Sequence, residues 1–145
     1  MATMAWRVVG TVLVVTETED SPSDGEWNAF IADTMQYRKR VNEMRVLINT
    51  DGGGPNSSQR VLIKTAIAGK PFRSAVVSDS IKLRFIAAAI MLISKNHASF
   101  TTPEWRRAYD HLSLNAEERR GIDVALREMR AQLSKSALPE LAAQK

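Results

Sequence analysis

The sequence predicts an α/β domain: a central, mixed and mostly parallel sheet covered by helices, with an additional helix at its C-terminal end. Three observations lead there. Short runs rich in Val, Ile and Thr alternate with longer segments of helical periodicity. A Ser or Asn is followed three positions later by Glu or Gln at Ser23/Glu26, Asn56/Gln59 and Asn115/Glu118, the pattern that satisfies two orphan amides at a helix start. Breaker clusters at 20–25, 52–55 and 69–71 punctuate the segments. Alternating strands and helices favour parallel strands joined by right-handed crossovers.

The first element, Trp6 to Thr18, is rich in Val and Thr and reads as a strand or hairpin bending at Gly10. The Ser23/Glu26 box then opens a helix. Its apolar stripe is Trp27, Phe30, Ile31, Met35 and Val41, and the basic triplet Arg38, Lys39 and Arg40 suits its C-terminal dipole. Met44 to Ile48, mostly apolar and followed by Asn49 and three glycines, predicts a central strand buried on both faces. Asn56 and Gln59 start a second helix carrying Val61, Leu62, Thr65 and Ala66, closed by Gly69 and Pro71. Phe72 to Val77 reads as the next strand.

Ser78 or Asp79 can cap a third helix through Leu83, Ile86, Ala87 and Ile90. Its neighbours Ala88, Ala89, Met91 and Leu92 leave little polar face, so it is either enclosed in the core or offers a face to a second copy of the chain. His97 to Thr101 reads as extended. Thr102 before Pro103 predicts a cap and a first helical position for a helix bearing Trp105 and Tyr109. Asn115 begins the last helix, whose Ile122, Leu126, Met129 and Leu133 form one stripe that must pack on its own domain or on a second copy. The expected organisation is one domain over residues 1–134, with 115–134 as a helical extension and 135–145 as a tail. The expected core is Trp27, Phe30, Ile31, Leu47, Ile48, Leu62, Val76, Ile86 and Ile90.

Composition narrows the function classes. The chain has 145 residues, enough to bury a core without staples, and no cysteine, which excludes disulfides, thiolate zinc sites and thiol catalysis. The longest apolar run, Phe85 to Ile93, is nine residues, whereas a span needs about 20. No membrane span is expected, and the start MATMAWR lacks the pattern of a secretory leader, so a cytoplasmic location is expected. A net charge of +4 arises from 20 basic and 16 acidic residues interleaved along the chain. Arg106, Arg107, Arg119, Arg120, Arg127 and Arg130 alternate with acids on the last two helices and read as a solvated face, so nucleic acid is not the expected partner.

The most unusual stretch for chemistry is Thr50 to Arg60, TDGGGPNSSQR, between a central strand and the next helix. Ligand sites of open α/β sheets favour this place, because glycines admit close approach and free helix amides attract anions. It lacks the phosphate-loop and dinucleotide-binding patterns, and three glycines also make a plain tight turn; both readings stay open. Asp51 alone does not make a metal site, and no metal or cofactor is expected. His97 and His111 have no patterned partner, no GxSxG elbow exists, and no set of residues fills nucleophile, base and stabiliser roles together. No catalytic residue is assigned.

The N-terminal strand pair, the VLINTDGGG loop and the FRSAVVSDS strand-to-helix junction resemble STAS domains, the anti-anti-sigma-factor-like group, and among them the divergent bacterial members. The resemblance spans roughly Trp6 to Leu112 and implies a STAS-like fold and a non-catalytic regulatory module that binds a protein partner. In that family a Ser or Thr after the central strand, often within Asp-Ser-x-Gly, is phosphorylated by a partner kinase. Here Asp51-Gly52 has no hydroxyl between acid and glycine, leaving Thr50, Ser57 and Ser58 as substitutes. The expected binding loop comprises Asp51, Gly52, Gly53, Gly54 and Asn56, with the adjoining helix faces, and bulk at Gly53 is expected to weaken binding more than stability. The alternative is a small-ligand binder, holding an anion at the glycine loop or a lipid-like molecule in an apolar pocket. A homodimer through apolar helix faces is a further expectation.

Overall fold

Five strands form one sheet in the order β1-β2-β3-β4-β5 in the computed structural model, which describes residues 2–81 and 96–143, with side chains to 134. They are β1 (Met4–Val9), β2 (Val12–Glu17), β3 (Met44–Thr50), β4 (Phe72–Val77) and β5 (His97–Phe100). β1 and β2 are an antiparallel hairpin turning at Gly10, and every later pairing is parallel. The expected mixed sheet is therefore present, with Met44 to Thr50 as its middle strand.

The helices divide between the two faces. α1 (Asp24–Arg40) and α2 (Ser57–Ile67) cover one, joining Trp27, Phe30 and Tyr37 to Leu13, Val15, Met44 and Val46, with Ile63 and Ile67 alongside. A short 3-10 turn (Thr102–Glu104), α3 (Trp105–His111) and α4 (Ala116–Ala143) belong to the other, where Ala108, Leu112, Ile122 and Met129 meet Val12, Val14, Leu47 and Val77. Alternate residues of β2 thus enter opposite cores, and all six are buried. Burial of both faces explains why β2 and β3 read as continuous apolar runs rather than alternating ones.

All three capping boxes form. The Ser23 hydroxyl accepts from the Glu26 amide while Glu26 accepts from the Ser23 amide, and Asn56/Gln59 and Asn115/Glu118 repeat the exchange. Two of these acids also tie distant elements. Glu26 accepts from the Thr3 amide at 2.8 Å, and Glu118 pairs with Arg45 of β3 at 2.7 Å. Gly121 lets α4 lie against β1: a Cβ there would stand 2.8 Å from Val9 Cγ1.

Several expectations are corrected. Met35 and Leu62 are exposed at 43% and 50%, whereas Thr34, Tyr37, Ile63 and Ile67 turn toward the sheet. Apolar spacing misassigned them because α1 and α2 mix polar residues into their inner faces: the Thr34 hydroxyl donates back to the Phe30 carbonyl, and the Tyr37 hydroxyl donates to the Thr11 carbonyl. The cap before Pro103 is Thr101, not Thr102; its amide donates to Glu104 at 2.9 Å, while Thr102 donates to Asp79. α4 is assigned through to Ala143, past Ser134 into the residues expected as a tail. Its apolar stripe packs on its own domain. The third helix read from Leu83, Ile86, Ala87 and Ile90 lies outside the described residues. No helix among the described residues is long and apolar enough to cross a membrane.

Candidate functional site at the carboxyl end of the sheet

The parallel strands all end at the same edge, so the residues following them gather there. β3 delivers Asn49, Thr50 and Asp51, and β4 delivers Ser78, Asp79 and Ser80. A cleft of about 630 Å³ opens between these ends and the helices of the second face, lined by Asn49, Asp51, Asp79, Ser80, Trp105 and Arg130 among others. A smaller cleft, with Thr16 to Thr18, Asp51, Arg130 and Leu133 on its walls, adjoins it.

Arg130 lies between the two clefts. Its Nη2 stands 3.3 Å from Asp51 Oδ1, and its Nη1 donates to Asn49 Oδ1. Asn49 is buried and in turn accepts from the Thr16 hydroxyl and donates to the Val77 carbonyl, so one amide ties the ends of β2, β3 and β4. The sequence grouped Arg130 with a solvated helix face. Its role became visible only once the fold had carried α4 across the sheet.

The predicted loop divides into an inner and an outer part. Thr50 is buried; its hydroxyl donates to the Gly53 carbonyl at 2.7 Å and accepts from the Gly52 amide, which removes it from the accessible hydroxyls. Gly53 is buried against the segment leaving β2, donating to the Thr18 carbonyl at 2.8 Å. A Cβ at Gly53 would fall 2.2 Å from the Asp20 carbonyl and 2.4 Å from that of Thr18. Bulk at Gly53 thus strikes backbone, and its cost falls on the loop's fold rather than on binding alone. Asp51, by contrast, is exposed, as are Ser57 and Ser58 on the first turn of α2. Arg60 donates to the Ser57 hydroxyl at 3.1 Å.

The start of α2 is held rigidly. The buried Gln59 side chain closes the box with Asn56 and donates to the Pro22 carbonyl and Asp24 carboxylate, both at 3.0 Å. The Trp27 indole donates to the Gln59 carbonyl at 2.8 Å. The two helix starts are thereby locked together beside the loop.

A separate cavity of about 300 Å³ lies on the α1 and α2 face of the sheet. Ile48 and Val76 line it, which accounts for their being only half-buried where full burial was expected. Glu17, the last residue of β2, shares this lining with Leu13 and Val15 and is 5% exposed. Burial pushes its carboxyl up to about 7. Nothing in the sequence marked Glu17, because an acid ending an apolar strand ordinarily reaches solvent. At the β4–β5 side of this lining, His97 Nδ1 lies 2.6 Å from the Ser74 hydroxyl, and burial, with the nearby His111, holds the His97 imidazole below its usual range.

Among the described residues no three of His, Asp and Glu converge as metal-binding groups, and Asp51 is engaged by Arg130. Comparison with family models, with curated proteins and with solved structures gives no match, so the function must be argued from these side chains.

Proposed function

We propose that the chain is a non-catalytic, STAS-like regulatory module of bacterial type, acting in the cytoplasm, which binds a protein partner through the 50–58 loop and the helix faces beside it. One observation carries it: the exposed Asp51, paired with Arg130 of the last helix, and the exposed Ser57 and Ser58 stand at the two ends of a loop whose inner part is fixed by Thr50 and Gly53. A preorganised, exposed edge loses little entropy on binding. Phosphate at Ser57 or Ser58 would lie on the first turn of α2, where the helix dipole and the Arg60 guanidinium stabilise negative charge.

A photo-crosslinker at Ser58 tests this in an extract of the source cells, with one at Arg40, at the far end of α1, as control. One protein captured from position 58 only, and lost in Ser57→Glu or Asp51→Ala, is the expected result. Equal capture from both positions, or none, overturns it. The cavity beside Glu17 favours a second reading, small-ligand binding.

A further inference from the structure

We propose that the cavity between the sheet and the α1–α2 pair is a binding site for a small apolar amine, whose ammonium group pairs with the Glu17 carboxylate. This deepens the small-ligand reading and does not depend on a protein partner.

The walls establish the apolar part. Leu13, Val15, Trp27, Phe30, Val46 and Ile63 supply aliphatic and aromatic surface, in a volume at the lower end of small-molecule pockets. The polar groups on the lining establish the rest, because among the described residues all but one have found partners. The Thr34 hydroxyl donates to Phe30, and Ser74 and His97 bond to each other. The Trp27 indole is taken by the Gln59 carbonyl. Glu17 differs: among the described residues no hydrogen bond or ion pair reaches its carboxylate, although the residue is only 5% exposed.

A buried carboxylate without a partner is costly, and such groups are ordinarily paired, protonated or completed by a ligand. Among the described residues, nearby charges do not complete it. Asp51 and Arg130, across the smaller cleft, are paired with each other, and His97 stands on β5, three strands away. α1 and α2 contribute only Trp27, Phe30, Thr34, Ile63 and Ile67 to the lining. An ammonium supplies the missing charge, and its donors match a carboxylate's acceptors. An anionic ligand would meet a second negative charge, and above the Glu17 titration a neutral one would leave the carboxylate without a counter-charge.

The test compares 2-phenylethylamine with 2-phenylethanol, of the same shape, by calorimetric titration of the whole chain at pH 8. The amine is expected to bind at least about 10-fold more tightly, roughly 1.4 kcal/mol by the gas-constant conversion. Its affinity should fall as pH drops through the Glu17 titration. Glu17→Gln, isosteric and uncharged, should abolish the preference while leaving weak binding of both probes, and Ile63→Trp, which fills the cavity, should abolish binding of both. Equal binding of amine and alcohol, or an amine preference that survives Glu17→Gln, overturns the ammonium pairing while leaving an apolar pocket. Binding of neither probe overturns the pocket as well.

Discussion

Arg130 of the last helix reaches the Asp51 carboxylate at the end of the central strand, with Nη2 3.3 Å from Oδ1, across 79 residues of sequence. Both side chains are about half exposed, at 46% and 53%, so the pair contributes little to stability. Asp51→Ala should therefore shift unfolding free energy by less than about 1 kcal/mol. Partner capture through position 58 should fall, since the loop edge loses its charge and its tether. Arg130→Met should cost more, on the order of 1–2 kcal/mol, because the buried Asn49 oxygen loses its charged donor. Urea unfolding of both variants, read beside crosslinking, separates the two effects.

Glu17 makes stability depend on pH in an uncommon direction. Its folded carboxyl titrates near 7 against about 4.5 unfolded, so between those values the folded chain holds more protons. Stability from this group is present below about pH 4.5 and is lost as pH rises through 7, with a full effect on the order of 3 kcal/mol. Glu17→Gln should remove that slope and raise the midpoint of urea unfolding at pH 8. A wild-type and mutant difference that stays constant from pH 5 to 8 would show that the carboxyl is not desolvated.

Gly53→Ala should destabilise by roughly 1–3 kcal/mol, since the added methyl would overlap the Thr18 and Asp20 carbonyls unless the loop moves. Ser57→Ala and Ser58→Ala, on exposed positions, should stay within about 0.5 kcal/mol of wild type. Thermal melts of the three variants check the contrast, which divides the loop into an inner structural part and an outer accessible one.

Met129 is 1% exposed in the core beneath α4, and Met129→Ala should cost about 2–5 kcal/mol. Removing everything after Ser113 would uncover Val12, Val14 and Leu47, and should abolish the cooperative transition or the solubility of the fragment. A truncated chain that melts like the full one would mean that α4 is an appendage.

Tyr37 is fully buried, its hydroxyl donating to the Thr11 carbonyl at 2.7 Å and accepting from the Arg45 amide at 2.9 Å. Tyr37→Phe should cost about 1–3 kcal/mol by leaving these backbone groups without a partner. Hydrogen exchange at the Arg45 amide should accelerate in the variant.

By itself the sequence determined the local elements and their order. Ser23/Glu26, Asn56/Gln59 and Asn115/Glu118 fix helix starts through bonds between neighbours three residues apart, the Val-rich run of β2 specifies a strand, and Met44 to Ile48 a strand enclosed by the sheet's two layers. These are short-range interactions, and short-range spacing records them. The Thr50 to Ser58 loop was legible as a place for the same reason, since strand ends and helix starts bracket it. Tertiary structure alone decided which polar residues meet. Arg130 joins Asn49 and Asp51 because α4 crosses the sheet, and Glu17 loses solvent because α1 and α2 cover the face on which β2 ends. On α1, Met35 lies outward while Tyr37 turns inward to donate to the Thr11 carbonyl, a group that becomes its neighbour only on folding. Charge pairing and desolvation depend on distances through space, which the periodicity of a single segment does not encode.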